Sequence, residues 1–154
     1  IRGPGWLGST QWAIPALIIM ALWGSIGGGR MIIFLAGLQG VPQELYEAAA
    51  MDGAKAWAKF VHVTLPMISP TMLFNLILGV IGAMQVFAVA YVSTQGGPAY
   101  ATWFYVLHLF AHAFKYMNMG YASALAWIFT VLVIALTYLQ LRSSDKWVFY
   151  SGAV

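Results

Sequence analysis

The sequence predicts an all-α membrane protein with about three transmembrane helices, a polar helix pair after the first, and one short re-entrant or interfacial helix. Three observations carry that prediction. Apolar residues make up 62% of the 154-residue chain and charged residues only 7%, against about 25% charged in soluble domains. Between Lys59 and Lys115 no Asp, Glu, Lys or Arg occurs. Three of the four acidic residues, Glu44, Glu47 and Asp52, are gathered in residues 41–66, with long apolar runs on both sides.

Residues 1–11 are rich in Gly and Pro and form a loop, with Trp6 and Trp12 suited to the aromatic belt at a membrane interface. Residues 13–38 are the first span, long enough at ~1.5 Å per residue to cross ~30 Å of hydrocarbon with some tilt. The run Gly27-Gly28-Gly29-Arg30 interrupts it. Each glycine weakens a helix by up to ~1 kcal/mol, so a kink or local unwinding is expected there. Arg30 is expected either to face other helices or to snorkel to the cytoplasmic surface.

Residues 41–66 read as helix, turn, helix. Pro42 suits a first helical position, where its missing N–H is not needed. Glu44 and Glu47 then fall in the first turns, favourable against the positive end of the helix dipole. Asp52-Gly53 is a turn pair, and Gly53 can take the left-handed conformation that ends a helix. A second short helix over residues 54–61 places Trp57 and Phe60 on one side, and Leu65-Pro66 is expected to close it. The pair should lie near the bilayer surface, with Tyr46 and Glu47 available to a partner.

Residues 67–92 are the second span, uncharged but carrying Asn75, Gln85 and Tyr91, with Gly79 and Gly82 small enough for close helix contact. Gln95-Gly96-Gly97-Pro98 ends it in a turn. Residues 100–114 are too short to span and suit a re-entrant or interfacial helix. Residues 115–120 form a polar turn, residues 121–141 the third span, and residues 143–154 a short tail after Arg142. Lys55, Lys59, Arg142 and Lys146 fall on one side of this array, Arg2 and Lys115 on the other. That bias predicts a cytoplasmic 41–66 loop and C-terminus.

Several function classes are excluded or disfavoured. No G-x-x-x-x-G-K-[ST] phosphate loop occurs, so the chain is not expected to hydrolyse ATP by that route. Cysteine is absent, which removes disulfides and thiolate metal sites. His108 and His112 share a helix face but lack an acidic or thiol neighbour, so no metal site is assigned. No nucleophile is paired with a base and an orienting group, and no enzyme activity is predicted. The net charge of +3 is scattered and argues against nucleic acid. The chain begins at Ile1 with no charged leader region, so no signal peptide is read.

The spacing in the polar loop is specific: Glu47-Ala48-Ala49, three residues, Gly53, nine residues, Val63, one residue, Leu65-Pro66. It resembles the E-A-A loop of the transmembrane permease subunits of bacterial binding-protein-dependent ABC importers. F-L-A-G-L-Q-G-V-P before the loop, T-Q-G-G-P after it and the closing K-W-V-F-Y are similar to the carbohydrate-uptake branch, the maltose and glycerol-3-phosphate type. The likeness covers nearly the whole chain and implies a C-terminal half, with earlier spans outside it.

What the resemblance implies follows residue by residue. Tyr46, Glu47, Ala48, Ala49, Asp52 and Gly53 would form a coupling helix that docks on a separate, dimeric ABC ATPase, which binds ATP and magnesium; this chain itself would carry no cofactor. Further partners would be a second permease subunit, an extracytoplasmic solute-binding protein, the lipid bilayer and a small-molecule sugar. The location would be the bacterial inner membrane, multi-pass, with loop and C-terminus cytoplasmic. Neutral sugars call for hydrogen-bonding side chains and aromatic faces, which makes Gln85 the first candidate for the translocation path. Asn75, Tyr91, Ser123 and Trp127 are further candidates, and Trp23 and Gly27 of the first span join them. Two other classes remain open at this stage: a fragment of an ion-coupled secondary transporter and a non-transporting membrane anchor. The first normally needs ionisable groups at membrane depth, and this chain offers only Arg30.

Overall fold

The computed structural model describes residues 5–26 and 28–149, and among these the regular structure is entirely helical. In chain order the helices are α1 (Ala13–Ile26), α2 (Gly29–Gln39), α3 (Gln43–Met51), α4 (Ala56–Lys59), α5 (Leu65–Met67), α6 (Ser69–Met84), α7 (Ala88–Ser93), α8 (Tyr105–Phe110) and α9 (Met119–Ser144). Widened π-helical turns continue α4 over Phe60–Thr64 and α8 over Ala111–Lys115.

Two helical stretches, Ser69–Ser93 and Met119–Ser144, are long and apolar enough to cross a membrane, and Ala13–Gly24 with Gly29–Gln39 forms a broken third candidate. The break in the first span falls in the glycine run, as the helix cost of glycine predicts. Gly28 precedes α2 in an extended conformation, while Gly27 lies outside the described residues. Apolar side chains cover the outer faces: Trp23, Ile32, Trp127 and Ile134 are all well exposed. An outward apolar surface of that kind is what lipid or neighbouring apolar helices cover. The chain is an all-α membrane protein.

The chain divides into two compact units, Ile1–Ser25 with Val80–Leu136, and Ile26–Gly79 with Thr137–Val154. In the first unit the core is Leu17, Ala90 and Leu107, with Val86, Phe87, Trp103 and Phe104 packed around it. A compact loop links α7 to α8. Gln95 and Gly96 have positive φ there, 50° and 88°, and Gly97-Pro98 is cis. Thr102 is fully buried and holds this loop together. Its Oγ1 donates to the Gly97 carbonyl at 2.8 Å and lies 2.6 Å from Thr94 Oγ1. Gly96 is obligatory, because a Cβ there would overlap the Trp103 ring. α8 and its π turn span only residues 105–115, too short to cross a bilayer at ~1.5 Å per residue. The Tyr105 hydroxyl ties α8 to α9 by donating to the Leu125 carbonyl at 2.8 Å.

In the second unit α2 and α6 pack antiparallel. Gly37 lies against Thr71, and Arg30 lies against Gly79, so α2 numbers rise as α6 numbers fall. Small residues permit this approach: a Cβ on Gly37 would stand 2.7 Å from Thr71 Oγ1. Arg30 thus lays its guanidinium along Gly79 of the neighbouring helix while the residue as a whole stays exposed. Three local expectations are corrected here. Pro42 caps α3 rather than opening it, because its ψ of 133° is extended. Leu65-Pro66 does not close the second loop helix. The π turn lets the Leu65 N–H reach back five residues to the Phe60 carbonyl, and the helical path absorbs a proline that has no donor to offer. The interruption falls instead at Ile68 (φ −90°, ψ 1°), where the Ser69 hydroxyl takes the Pro66 carbonyl at 2.6 Å before α6 begins. The last long helix opens at Met119, so Gly120 is helical rather than part of the preceding turn.

Candidate functional site

The candidate site is the loop between α2 and α6, and its geometry follows from local sequence. Pro42 presets the entry to α3, and Glu44 occupies the first turn. Gly53, at φ +77°, turns the chain after Asp52 with open space around its Cα. A side chain there would be strained by its backbone rather than by a neighbour. Lys55 leads into α4, and the ring of Trp57 on α4 lies 5.7 Å from that of Phe60 at the start of the π turn.

Glu47, Ala48, Asp52 and Gly53 are exposed and Ala49 is half-buried. The Glu47 carboxylate is steadied from one turn earlier, by the Gln43 side-chain amide at 3.2 Å. Two small side chains beside an oriented carboxylate make a surface that can approach another protein closely and offer it one anionic anchor. Tyr46 points the other way. It is half-buried, and its hydroxyl lies 2.9 Å from Thr64 Oγ1 on the second loop helix. Expected to be available to a partner, Tyr46 is engaged within the chain.

Sequence reasoning missed a further contributor. The C-terminal segment returns to this loop: the Phe149 amide donates to Ser69 Oγ at 2.8 Å. Phe149 also lines a cavity of about 280 Å³ with Leu45, His62, Val63, Pro66 and Met67. No sequence signal marks this contact, since its partners stand 80 residues apart.

The candidate path residues are more dispersed. Gln85 is exposed and sits where the second span loses helical geometry, between α6 and α7. Tyr91 stacks on Phe87 at 5.3 Å and meets Phe110 edge-on at 5.4 Å. Trp23 and Trp127 are exposed to 82% and 73% and belong to the outward apolar surface. Ser123 spends its hydroxyl on the Met119 carbonyl one turn back. Asn75 is buried, donates to the Thr71 carbonyl at 3.0 Å, and keeps a buried Oδ1 without a protein partner. Asn75 belongs to one compact unit and Trp23, Gln85, Tyr91, Ser123 and Trp127 to the other, and Gly27 lies outside the described residues. His108 and His112 meet edge-to-face with ring centroids 4.4 Å apart, and His108 Nδ1 accepts the Trp103 indole N–H at 2.9 Å. They form part of an aromatic cluster with Tyr121. No group of three or more candidate metal ligands occurs among the described residues.

Comparison with known proteins adds an independent finding. The family described as binding-protein-dependent transport system inner membrane component matches residues 4–148. The chain is 40% identical over 149 residues to the probable ABC transporter permease protein YesP of Bacillus subtilis, covering 96% of this chain and 48% of that protein. It is 37% identical over 145 residues to the lactose transport system permease protein LacF of Rhizobium radiobacter, covering 92% and 48%. To the trehalose/maltose transport system permease protein MalF of Thermococcus litoralis it is 39% identical over 140 residues, covering 89% and 46%. The chain spans about half the length of these curated relatives.

Proposed function

The chain belongs to the family of binding-protein-dependent transport system inner membrane components, and from that premise we propose that it forms part of the permease subunit of an ATP-driven sugar importer. Membership makes it a multi-pass inner-membrane protein that works with other components of such a system, and it sets aside the secondary-transporter and anchor readings. The sugar assignment is supported by relatives named for lactose and for trehalose/maltose transport. The partners are a second permease subunit, a dimeric ABC ATPase that holds ATP and magnesium, and an extracytoplasmic solute-binding protein.

The observation that carries the coupling role is the two-sided α3. Its outer side presents the Glu47 carboxylate with Ala48, and its inner side is fastened to the second loop helix by Tyr46. A short helix of this kind seats in a cleft of the ATPase, where Glu47 pairs with a basic group. Closure of the ATPase then displaces α3 as a rigid body, and packed interfaces convert such a displacement into a switch between discrete arrangements. Lys55 and Lys59 lie in the loop, and Arg142 and Lys146 lie at and just after the C-terminal end of the last span. Those four basic residues flanking the spans support a cytoplasmic loop and C-terminus.

Along the path, Gln85 would hydrogen-bond sugar hydroxyls where the helix is interrupted, and the ring faces of Trp23, Tyr91 and Trp127 would stack on the sugar.

The test is a crosslink. With Cys in place of the exposed Ala50, in a chain that has no native cysteine, the permease is assembled with an ATPase carrying one Cys in its docking cleft. Crosslinking that changes with ATP is expected. A correctly inserted permease that gives no crosslink overturns the coupling role.

A further inference from the structure

Hydroxyls inside a helix usually turn back on their own backbone. Ser123 and Thr130 do so, donating to carbonyls four residues earlier at 2.8 and 2.9 Å. Thr64 does not. Its Oγ1 reaches across the loop to Tyr46 Oη, and the residue is buried to 7% exposure. The other side-chain hydrogen bond of α3 joins Gln43 to Glu47 inside the same helix. Among the described residues, Tyr46–Thr64 is therefore the side-chain hydrogen bond that ties α3 to anything outside itself.

The surroundings give this bond its weight. Gly53, at φ +77°, ends α3 in a turn closed by the Gly53 N–H on the Ala50 carbonyl at 3.0 Å and the Ala54 N–H on the Ala49 carbonyl at 2.9 Å, so the non-helical Ala54-Lys55 step is what joins this turn to α4. Packing beside the bond is incomplete, because Leu45 borders the cavity it shares with His62, Val63, Pro66 and Met67. Thr64 closes the π turn, and its carbonyl accepts the Ile68 N–H at 3.0 Å. Two residues on, the Pro66 carbonyl is held by Ser69 at the start of α6. A pull on Thr64 is thus applied at the foot of a membrane-length helix.

We propose that Tyr46 and Thr64 are positioning residues that latch the coupling helix to the foot of α6, so that the two move as one body when a partner displaces α3. This rests on the coupling role given above and adds the element that transmits the motion. Without the latch, α3 and its closing turn swing about the Ala54-Lys55 step and the motion is lost in the loop.

The test uses spin labels on Cys replacing Met51, at the end of α3 and 89% exposed, and Phe74 on α6, 52% exposed. The distance between them is measured in the assembled transporter with and without ATP. The unsubstituted latch is expected to give one narrow distribution in both states. Tyr46→Phe and Thr64→Val should each raise a second, detached population by about five-fold, the size expected for loss of one buried hydrogen bond. The double substitution should be no worse than either, and Thr64→Ser should restore the narrow distribution. A narrow distribution in Tyr46→Phe, or additive effects in the double variant, overturns the latch. Crosslinking at Ala50, run on the same assembly, separates the two claims. Its absence in the parent protein overturns the coupling role, whereas an intact crosslink with an unbroadened Tyr46→Phe overturns the latch alone.

Discussion

The Phe149 amide and the Ser69 hydroxyl, 80 residues apart in sequence, are joined by a hydrogen bond of 2.8 Å. Ser69 is buried and its own proton goes to the Pro66 carbonyl at 2.6 Å, so one hydroxyl serves as acceptor for the tail and donor to the loop. The C-terminal segment is thereby fastened to the end of the loop between α2 and α6. Ser69→Ala removes both bonds. We expect faster hydrogen exchange at the Phe149 amide and a local loss of about 1–3 kcal/mol, the range for two net hydrogen bonds. Unchanged exchange at Phe149 would show that the tail is held by other means.

The α2–α6 contact depends on one missing Cβ. A Cβ on Gly37 would stand 2.7 Å from Thr71 Oγ1, closer than packed atoms approach. Gly37→Leu should destabilise the protein by about 1–3 kcal/mol through overpacking. Thermal unfolding in detergent measures this. Gly37→Ala should be milder, and Thr71→Ala should relieve part of it because the clashing hydroxyl is gone.

Gly53 sets the turn through its backbone alone, since nothing lies within reach of an added Cβ. Gly53→Ala should cost about 1 kcal/mol, the penalty of a left-handed conformation for an L-residue. Gly53→Pro cannot adopt φ +77° and should abolish stimulated ATP hydrolysis while membrane insertion persists. Glu47→Lys should lose stimulation too, but with the loop fold intact, because Glu47 is exposed. Comparing limited proteolysis of the two variants distinguishes a broken turn from a reversed charge.

Thr102 concentrates three polar groups at a fully buried point, its own hydroxyl, Thr94 Oγ1 and the Gly97 carbonyl. Thr102→Val keeps the shape and strips the hydroxyl. The expected loss is about 1–3 kcal/mol, the cost of leaving buried polar groups unpaired. Thr102→Ser should retain most of the stability in the same unfolding assay.

Gln85 lies exposed at the helix interruption between α6 and α7. If it contacts sugar, Gln85→Leu should reduce uptake by the assembled transporter without lowering its yield. Uptake equal to the parent protein would dismiss Gln85 from the path.

The loop was largely legible in advance because its determinants are local. Proline at the α3 entry, acidic residues in the first turns and Asp52-Gly53 act through backbone angles and dipoles within a few residues. The glycine break in the first span was readable for the same reason. The closure at Leu65-Pro66 was misread because a widened turn, which no propensity encodes, accommodated the proline. The role of Tyr46 was hidden because an aromatic hydroxyl on a polar loop looks free until its partner is placed. Of the path candidates, Ser123 and Asn75 turn out to be engaged with helix backbone.

The sequence by itself determined the all-α membrane class of the protein and the helix–turn–helix shape of the loop between α2 and α6. Hydrophobicity over a window and backbone preference are properties of a segment, and they survive without knowledge of what that segment touches. Only the tertiary structure decided that Tyr46 meets Thr64, that Gly37 receives Thr71, and that the C-terminal segment closes on Ser69. These contacts join residues 18, 34 and 80 positions apart. Each depends on the packing of whole helices, which fixes distances that no local pattern contains.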